Sequence, residues 1–149
     1  MEILTSRFGK ISFSSKEVYN FSKGIYGFPQ EKKYLFLKLK EFEPFLWLQS
    51  VHKPDLAILL TDPLILLQDY KPEIPKREFE DIEILDLKKA EIYVTVTPSG
   101  KLNQSSLNLL APIIINPAKR SGKQVVLKSG DYRIQQSIFE RLEKKSKNK

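Results

Sequence analysis

Two tripeptides, Ser99-Gly100-Lys101 and Ser121-Gly122-Lys123, have the residue types that close a phosphate-binding loop. Neither is preceded by the leading glycine such a loop requires, and neither opens a convincing helix, so the N–H groups that would hold a phosphate are not gathered. Hairpin turns are the better reading of both. Asp55, Asp62 and Asp69 recur every seven residues, a spacing at which carboxylates could be imagined in acid–base or metal chemistry. Asp55 follows Pro54 and Asp62 precedes Pro63, however, and these are turn contexts. His52, the sole histidine, lies in the polar stretch from Ser50 to Asp55 and reads as an exposed loop residue. The chain has no cysteine, which excludes disulfides, thiolate zinc sites and thiol nucleophiles. A single histidine also makes His-based triads and most zinc sites untenable. No catalytic constellation, metal site or cofactor site is expected.

Recognition chemistry is better represented. In Phe45-Leu46-Trp47-Leu48-Gln49, strand alternation puts Phe45, Trp47 and Gln49 on one face and Leu46 and Leu48 on the other. An aromatic pair ending in an amide suits either a core or an interface anchor.

The elements that must position these residues are mostly strands. Lys10–Phe13, Tyr34–Leu39 and Phe45–Gln49 are short and rich in aromatic, β-branched or apolar residues. Leu56–Thr61 is a continuous apolar run that suits a strand buried on both faces. Glu91–Thr97 alternates Ile92, Val94 and Val96 with Tyr93 and Thr95, the period of a half-buried strand. Leu107–Ile115 and Lys123–Leu127 complete the set, with Pro112 implying an edge or a bulge. Helical signals are few. Pro75–Leu85 places Phe79, Ile82 and Leu85 at spacing three, and Asp131 could cap a basic helix carrying Ile134, Ile138 and Leu142. The expected fold is all-β, mainly antiparallel, a small pseudo-barrel with one or two short helices including that C-terminal basic one. Its expected division is a β domain over 1–132 and a basic helix and tail over 133–149.

A length of 149 residues suits one domain with a proper core, and 41% hydrophobic with 11% aromatic residues excludes general disorder. The net charge of +7 is unevenly placed: residues 1–115 carry 15 basic and 15 acidic side chains, whereas residues 116–149 carry 10 and 3. Electrostatic attraction to a polyanion therefore concerns the C-terminal end alone. The first residues, Met1 to Arg7, lack a basic stretch followed by an apolar one, and no apolar run is long enough to span a bilayer, so a cytoplasmic protein is expected.

Several strings in succession resemble one family. They are Phe21-Ser22-Lys23-Gly24-Ile25-Tyr26-Gly27-Phe28, Phe45-Leu46-Trp47-Leu48-Gln49-Ser50, Pro54-Asp55-Leu56-Ala57, Thr61-Asp62-Pro63, and the run from Asn108 to Asn116 continued by Arg120 to Leu127. Over residues 5–132 their order resembles the bacterial flagellar assembly factor family FliW. Ser22 stands where that family usually has proline, and from Arg133 no family motif is placed. The resemblance implies a β-rich pseudo-barrel without enzymatic activity or cofactor, a monomer when free, with no membrane and no direct nucleic-acid contact. It implies two protein partners, flagellin and the carbon storage regulator CsrA, a small RNA-binding dimer that blocks flagellin translation. The partner-binding residues it suggests are Phe21, Gly24, Phe28, Phe45, Trp47, Gln49, Asp62, Asn108, Pro112 and Asn116. The residues themselves add an exposed sheet edge near Pro112 and an acidic segment over 73–91 as protein-binding surface. A different class stays open, a small β-barrel RNA-binding protein using its basic C-terminus.

Overall fold

The computed structural model describes residues 1–101, 104–128 and 132–137. Two antiparallel strands, β1 (Glu2–Thr5) and β2 (Gly9–Ser12), form a hairpin of their own. The main sheet comprises β3 (Val18–Asn20), β4 (Lys33–Leu37), β5 (Leu46–Ser50), β6 (Ala57–Thr61), β7 (Glu91–Thr97), β9 (Ile113–Asn116) and β10 (Ser121–Gln124). Neighbours pair antiparallel except β10 with β3, joined in parallel at Ser121 and Asn20. Because β7 also pairs with β9, these seven strands close into a barrel and leave no long free edge. Two two-residue strands, β8 (Ser106–Leu107) and β11 (Gln136–Ser137), extend the sheet beyond β7. Among the described residues, helices are limited to α1 (Pro63–Leu66), α2 (Lys76–Glu80) and single 3-10 turns.

Strand alternation sorts the side chains into an interior and an outer layer. Phe21, Tyr34, Leu46, Leu48, Leu60, Tyr93, Ile113 and Ile115 fill the barrel. Each of its fully buried aliphatic side chains contributes roughly 1.5–3 kcal/mol relative to exposure. The opposite faces are covered as well. Trp47, Leu59, Val94 and Val96 meet Tyr70, Leu107 and Leu109 in one cluster. Ile114 and Val125 meet Phe79, Ile82 and Ile84 of the excursion between β6 and β7. Leu35 is covered by Ile3 and Phe13 of the hairpin. The two-sided burial explains why β5 and β9 are buried along their whole length.

The all-β class and the pseudo-barrel agree with expectation, and β7 has the bounds read from its alternation. Six details differ. Ser121-Gly122-Lys123 is not a turn but the body of β10, which starts two residues earlier than expected. A Cβ on Gly122 would lie 2.5 Å from the Phe21 ring, so glycine lets the strand pass over it. The run from Leu107 to Ile115 is two strands, with Pro112 in the break between them. The edge expected near Pro112 is closed, because Pro112 is buried and its carbonyl accepts from the Val125 N–H at 2.9 Å. The helix expected to reach Leu85 ends at Glu80. Glu83 turns the chain in the left-handed region at φ 62°, so Ile84 enters the core and Leu85 is left 84% exposed. At the C-terminal end residues 132–137 are not helical, for Gln136 and Ser137 pair with Leu107 and Ser106 as a strand, and Asp131 lies outside the described residues. Ile138 and Leu142, with the rest of the expected basic helix, lie outside the described residues. Finally, β1 and β3 were not expected at all.

Candidate functional site

On one side of the barrel, segments far apart in sequence line a groove of about 370 Å³. Its floor lies where β6 and β7 diverge, contributed by Ala57, Ile58, Leu59, Val96 and Thr97. Its rim is the loop after β3. Gly24 adopts φ +68° there, and a Cβ would lie 2.6 Å from the Pro29 backbone. Its N–H donates to the Phe21 carbonyl at 2.8 Å, and Ile25 and Phe28 exchange backbone hydrogen bonds. This tight turn presents Tyr26, 67% exposed, at its tip. Gln124 ties it to the barrel, accepting from the Tyr26 N–H at 2.8 Å while donating to the Ala111 carbonyl at 3.0 Å.

The opposite wall is aromatic. Trp47 is edge-on to Phe8 and Phe42, with ring centroids 5.5 Å away in both cases. The Arg7 guanidinium sits 4.6 Å from the Trp47 ring centroid, within cation–π range. Arg7 is carried by the β1–β2 turn, which Thr5 organises by donating to the Gly9 carbonyl and accepting from the Phe8 N–H, both at 2.8 Å. Among the described residues Arg7 is the only Lys, Arg, Asp or Glu lining the groove, and the Lys53 ammonium lies 5.6 Å from the Phe28 ring centroid.

The residues singled out from sequence divide into three groups. Phe28, Trp47 and Asn108 line the groove. Phe21, Gly24, Phe45 and Gln49 lie behind its walls. Phe21 is fully buried, Gly24 shapes the rim, and Phe45 packs on the Trp47 cluster. Gln49 is fully buried too, and its amide donates to the Ser50 and Pro54 carbonyls, fixing the loop that leads into β6. Pro112 lies between β8 and β9, while Asp62 and Asn116 are brought elsewhere. Asp62 caps α1 by accepting from the Leu64 N–H at 2.9 Å. Asn116 donates to the Ile82 carbonyl at 2.8 Å and accepts from the Lys119 N–H, pinning the β6–β7 excursion. Arg7, Val96 and Pro98 carried no signal of their own in the sequence, because only the closed barrel brings them to the groove. Among the described residues, no group of three or more His, Asp or Glu is placed to hold a metal ion.

The acidic excursion has a partner inside the molecule. The Lys123 ammonium, almost buried, contacts Glu78 at 2.5 Å and Asp81 at 2.6 Å. Burial works to lower it, but the hydrogen bonds and charges of Asp81 and Glu78 outweigh burial and hold it above its ordinary value. The hydrogen bond from Lys123 and its charge hold the Asp81 carboxyl below the usual range.

The FliW protein family matches residues 2–138 of this chain. The chain belongs to the FliW family. Relatives named flagellar assembly factor FliW include one from Moorella thermoacetica, 35% identical over 140 residues, covering 93% of this chain and 89% of the relative. Another, from Thermosipho africanus, is 35% identical over 136 residues, covering 91% and 94%. A crystal structure of the flagellar assembly factor FliW superposes with a TM-score of 0.87 at 33% identity, covering 93% of this chain and 97% of that one. The FliW match runs on past Arg133, where the sequence reading placed no motif, and takes in β11. No helix among the described residues is long and apolar enough to cross a membrane.

Proposed function

We propose that this FliW-family chain acts in the cytoplasm as a non-enzymatic flagellar assembly factor that holds flagellin and antagonises the regulator CsrA, coupling flagellin synthesis to flagellum assembly. Membership of the FliW family over residues 2–138 carries this reading, and the groove lined by Arg7 supports it as a surface suited to protein. The mechanism needs no reacting group. Two partners that change one another's occupancy of a shared protein are linked by mass action, and whichever is in excess sets how much of the other is free. Newly made flagellin would occupy the protein. Its export would release the protein to sequester CsrA, which would relieve the block on translation until flagellin accumulates again.

Calorimetry with purified components tests this. Micromolar mixing should give a stoichiometric complex with flagellin and, separately, with CsrA. Free flagellin at about 100 times its Kd should stabilise the protein by about 2.7 kcal/mol, visible as a rise in Tm. Titrations that give only heat of dilution with both partners would overturn the proposal.

A further inference from the structure

We propose that the opening between β6 and β7 is a strand-addition site. There an extended segment of flagellin pairs with the edge of β6 and places a carboxylate on Arg7. The identity of the partner rests on the function proposed above; the mode of binding rests on the backbone.

The β6–β7 ladder consists of two pairs, Leu60 with Thr95 and Thr61 with Val94. Continued by the same register it would set Ile58 against Thr97 and Ala57 against Pro98. Proline has no N–H to donate, and the strands part there. On its other side β6 is paired with β5 along Ala57–Leu60. Ser50 N–H donates to the Leu56 carbonyl at 2.9 Å. By the two-residue alternation of an antiparallel ladder, the groups of Leu56, Ile58 and Leu60 turn to β5 and those of Ala57 turn the other way. Across from Ala57, β7 offers no paired residue. Among the described residues this is a short stretch of unfilled ladder in an otherwise closed barrel, and it opens into the groove.

An N–H and a carbonyl presented at strand spacing are chemistry for an extended main chain, which satisfies both while its alternate side chains enter pockets. The pockets on offer are apolar, made by Ile25, Phe28 and Val96. A volume of about 370 Å³ falls within the ~300–1,000 Å³ typical of binding clefts. The charge decides among occupants. Arg7 is exposed and makes no ion pair with a described residue. The Arg7 guanidinium over its aromatic wall complements one carboxylate. It is too little positive charge to track a nucleic-acid backbone, and it repels the basic face of an RNA-binding protein.

The test is hydrogen exchange resolved at the Ala57 amide, with and without unassembled flagellin, beside calorimetry on the wild type, Arg7→Glu and Arg7→Lys. Thermal unfolding of each variant reports whether it is folded. Flagellin should slow exchange at Ala57, Arg7→Glu should weaken binding about tenfold or more, and Arg7→Lys should retain most of it. A flagellin complex that leaves Ala57 exchange unchanged would overturn the inference and leave the proposed function standing. Protection of Ala57 by CsrA instead of flagellin, or by raising the concentration of this chain alone, would overturn it in favour of that other occupant. Absence of any complex with flagellin or CsrA would overturn both.

Discussion

Single residues at the groove hold shape more than they offer contact. Gly24 is required by its backbone: φ is +68°, and a Cβ would meet the Pro29 main chain at 2.6 Å, which cannot move as a side-chain end can. Gly24→Ala should cost about 1–3 kcal/mol in urea unfolding and disturb the rim that carries Tyr26. Trp47 is 94% buried against Phe8, Phe42 and Arg7, so it is a wall before it is an anchor. Trp47→Ala should destabilise by about 3–5 kcal/mol, measured by the shift of the denaturant midpoint. Trp47→Phe keeps a ring there, and its affinity for flagellin by calorimetry separates the contact from the packing. Alternation along β5 did place Trp47 opposite Leu46 and Leu48, and the structure has them on opposite faces of the strand. What alternation does not convey is that both faces of β5 are covered.

Among the elements, the excursion between β6 and β7 is attached to β9 and β10 by polar bonds. Lys123 of β10 holds Glu78 and Asp81, and the Asn116 amide of β9 holds the Ile82 carbonyl. Lys123→Met leaves Glu78, itself mostly buried, with only the exposed Arg77 guanidinium 3.7 Å away, and should lower stability by about 1–3 kcal/mol, read from thermal unfolding. The pH dependence follows from the signs. Asp81 is held below its ordinary 3.8 in the fold, so its contribution is present above that value and is lost as pH falls through the lowered one. Lys123 is held above its ordinary 10.5, so its contribution is present below 10.5 and is lost as pH rises through the raised value. Lys123→Met should flatten both limbs of a Tm-against-pH curve. The acidity of this segment was plain in the sequence, but half of its role is internal. The cation that answers it is Lys123, which lies 42 positions along the chain from Asp81.

At the scale of the whole molecule, barrel closure puts phenols where ionisation is disfavoured. Burial, then the charge of Glu31, pushes Tyr34 up to about 12. Burial raises Tyr70 and Tyr93 as well, helped by Tyr132 and Glu91 respectively. The unfolded chain loses these protons near 10, so folding stability should fall as pH rises past that value. Phenolate absorbance should then show Tyr34, Tyr70 and Tyr93 titrating only together with the loss of near-ultraviolet circular dichroism. Titration of Tyr34, Tyr70 and Tyr93 near 10 with circular dichroism unchanged would contradict the packed interior.

Composition and periodicity determined the class: short alternating apolar runs with few helical ones point to a β-rich fold. They also located β4, β5, β6 and β7, because each carries its own apolar pattern. The tertiary structure decided the rest. Strands β1 and β3 have four and three residues, too few to show a period, and exist because distant partners pair with them. The ring closes where Asn20 meets Ser121 in parallel, a contact made across the chain and written in no local pattern. The groove is a product of that closure. Arg7, the Phe21–Phe28 turn, Trp47, Ala57 and Pro98 become neighbours only once seven strands have returned to their start, and local sequence holds no record of which ends will meet.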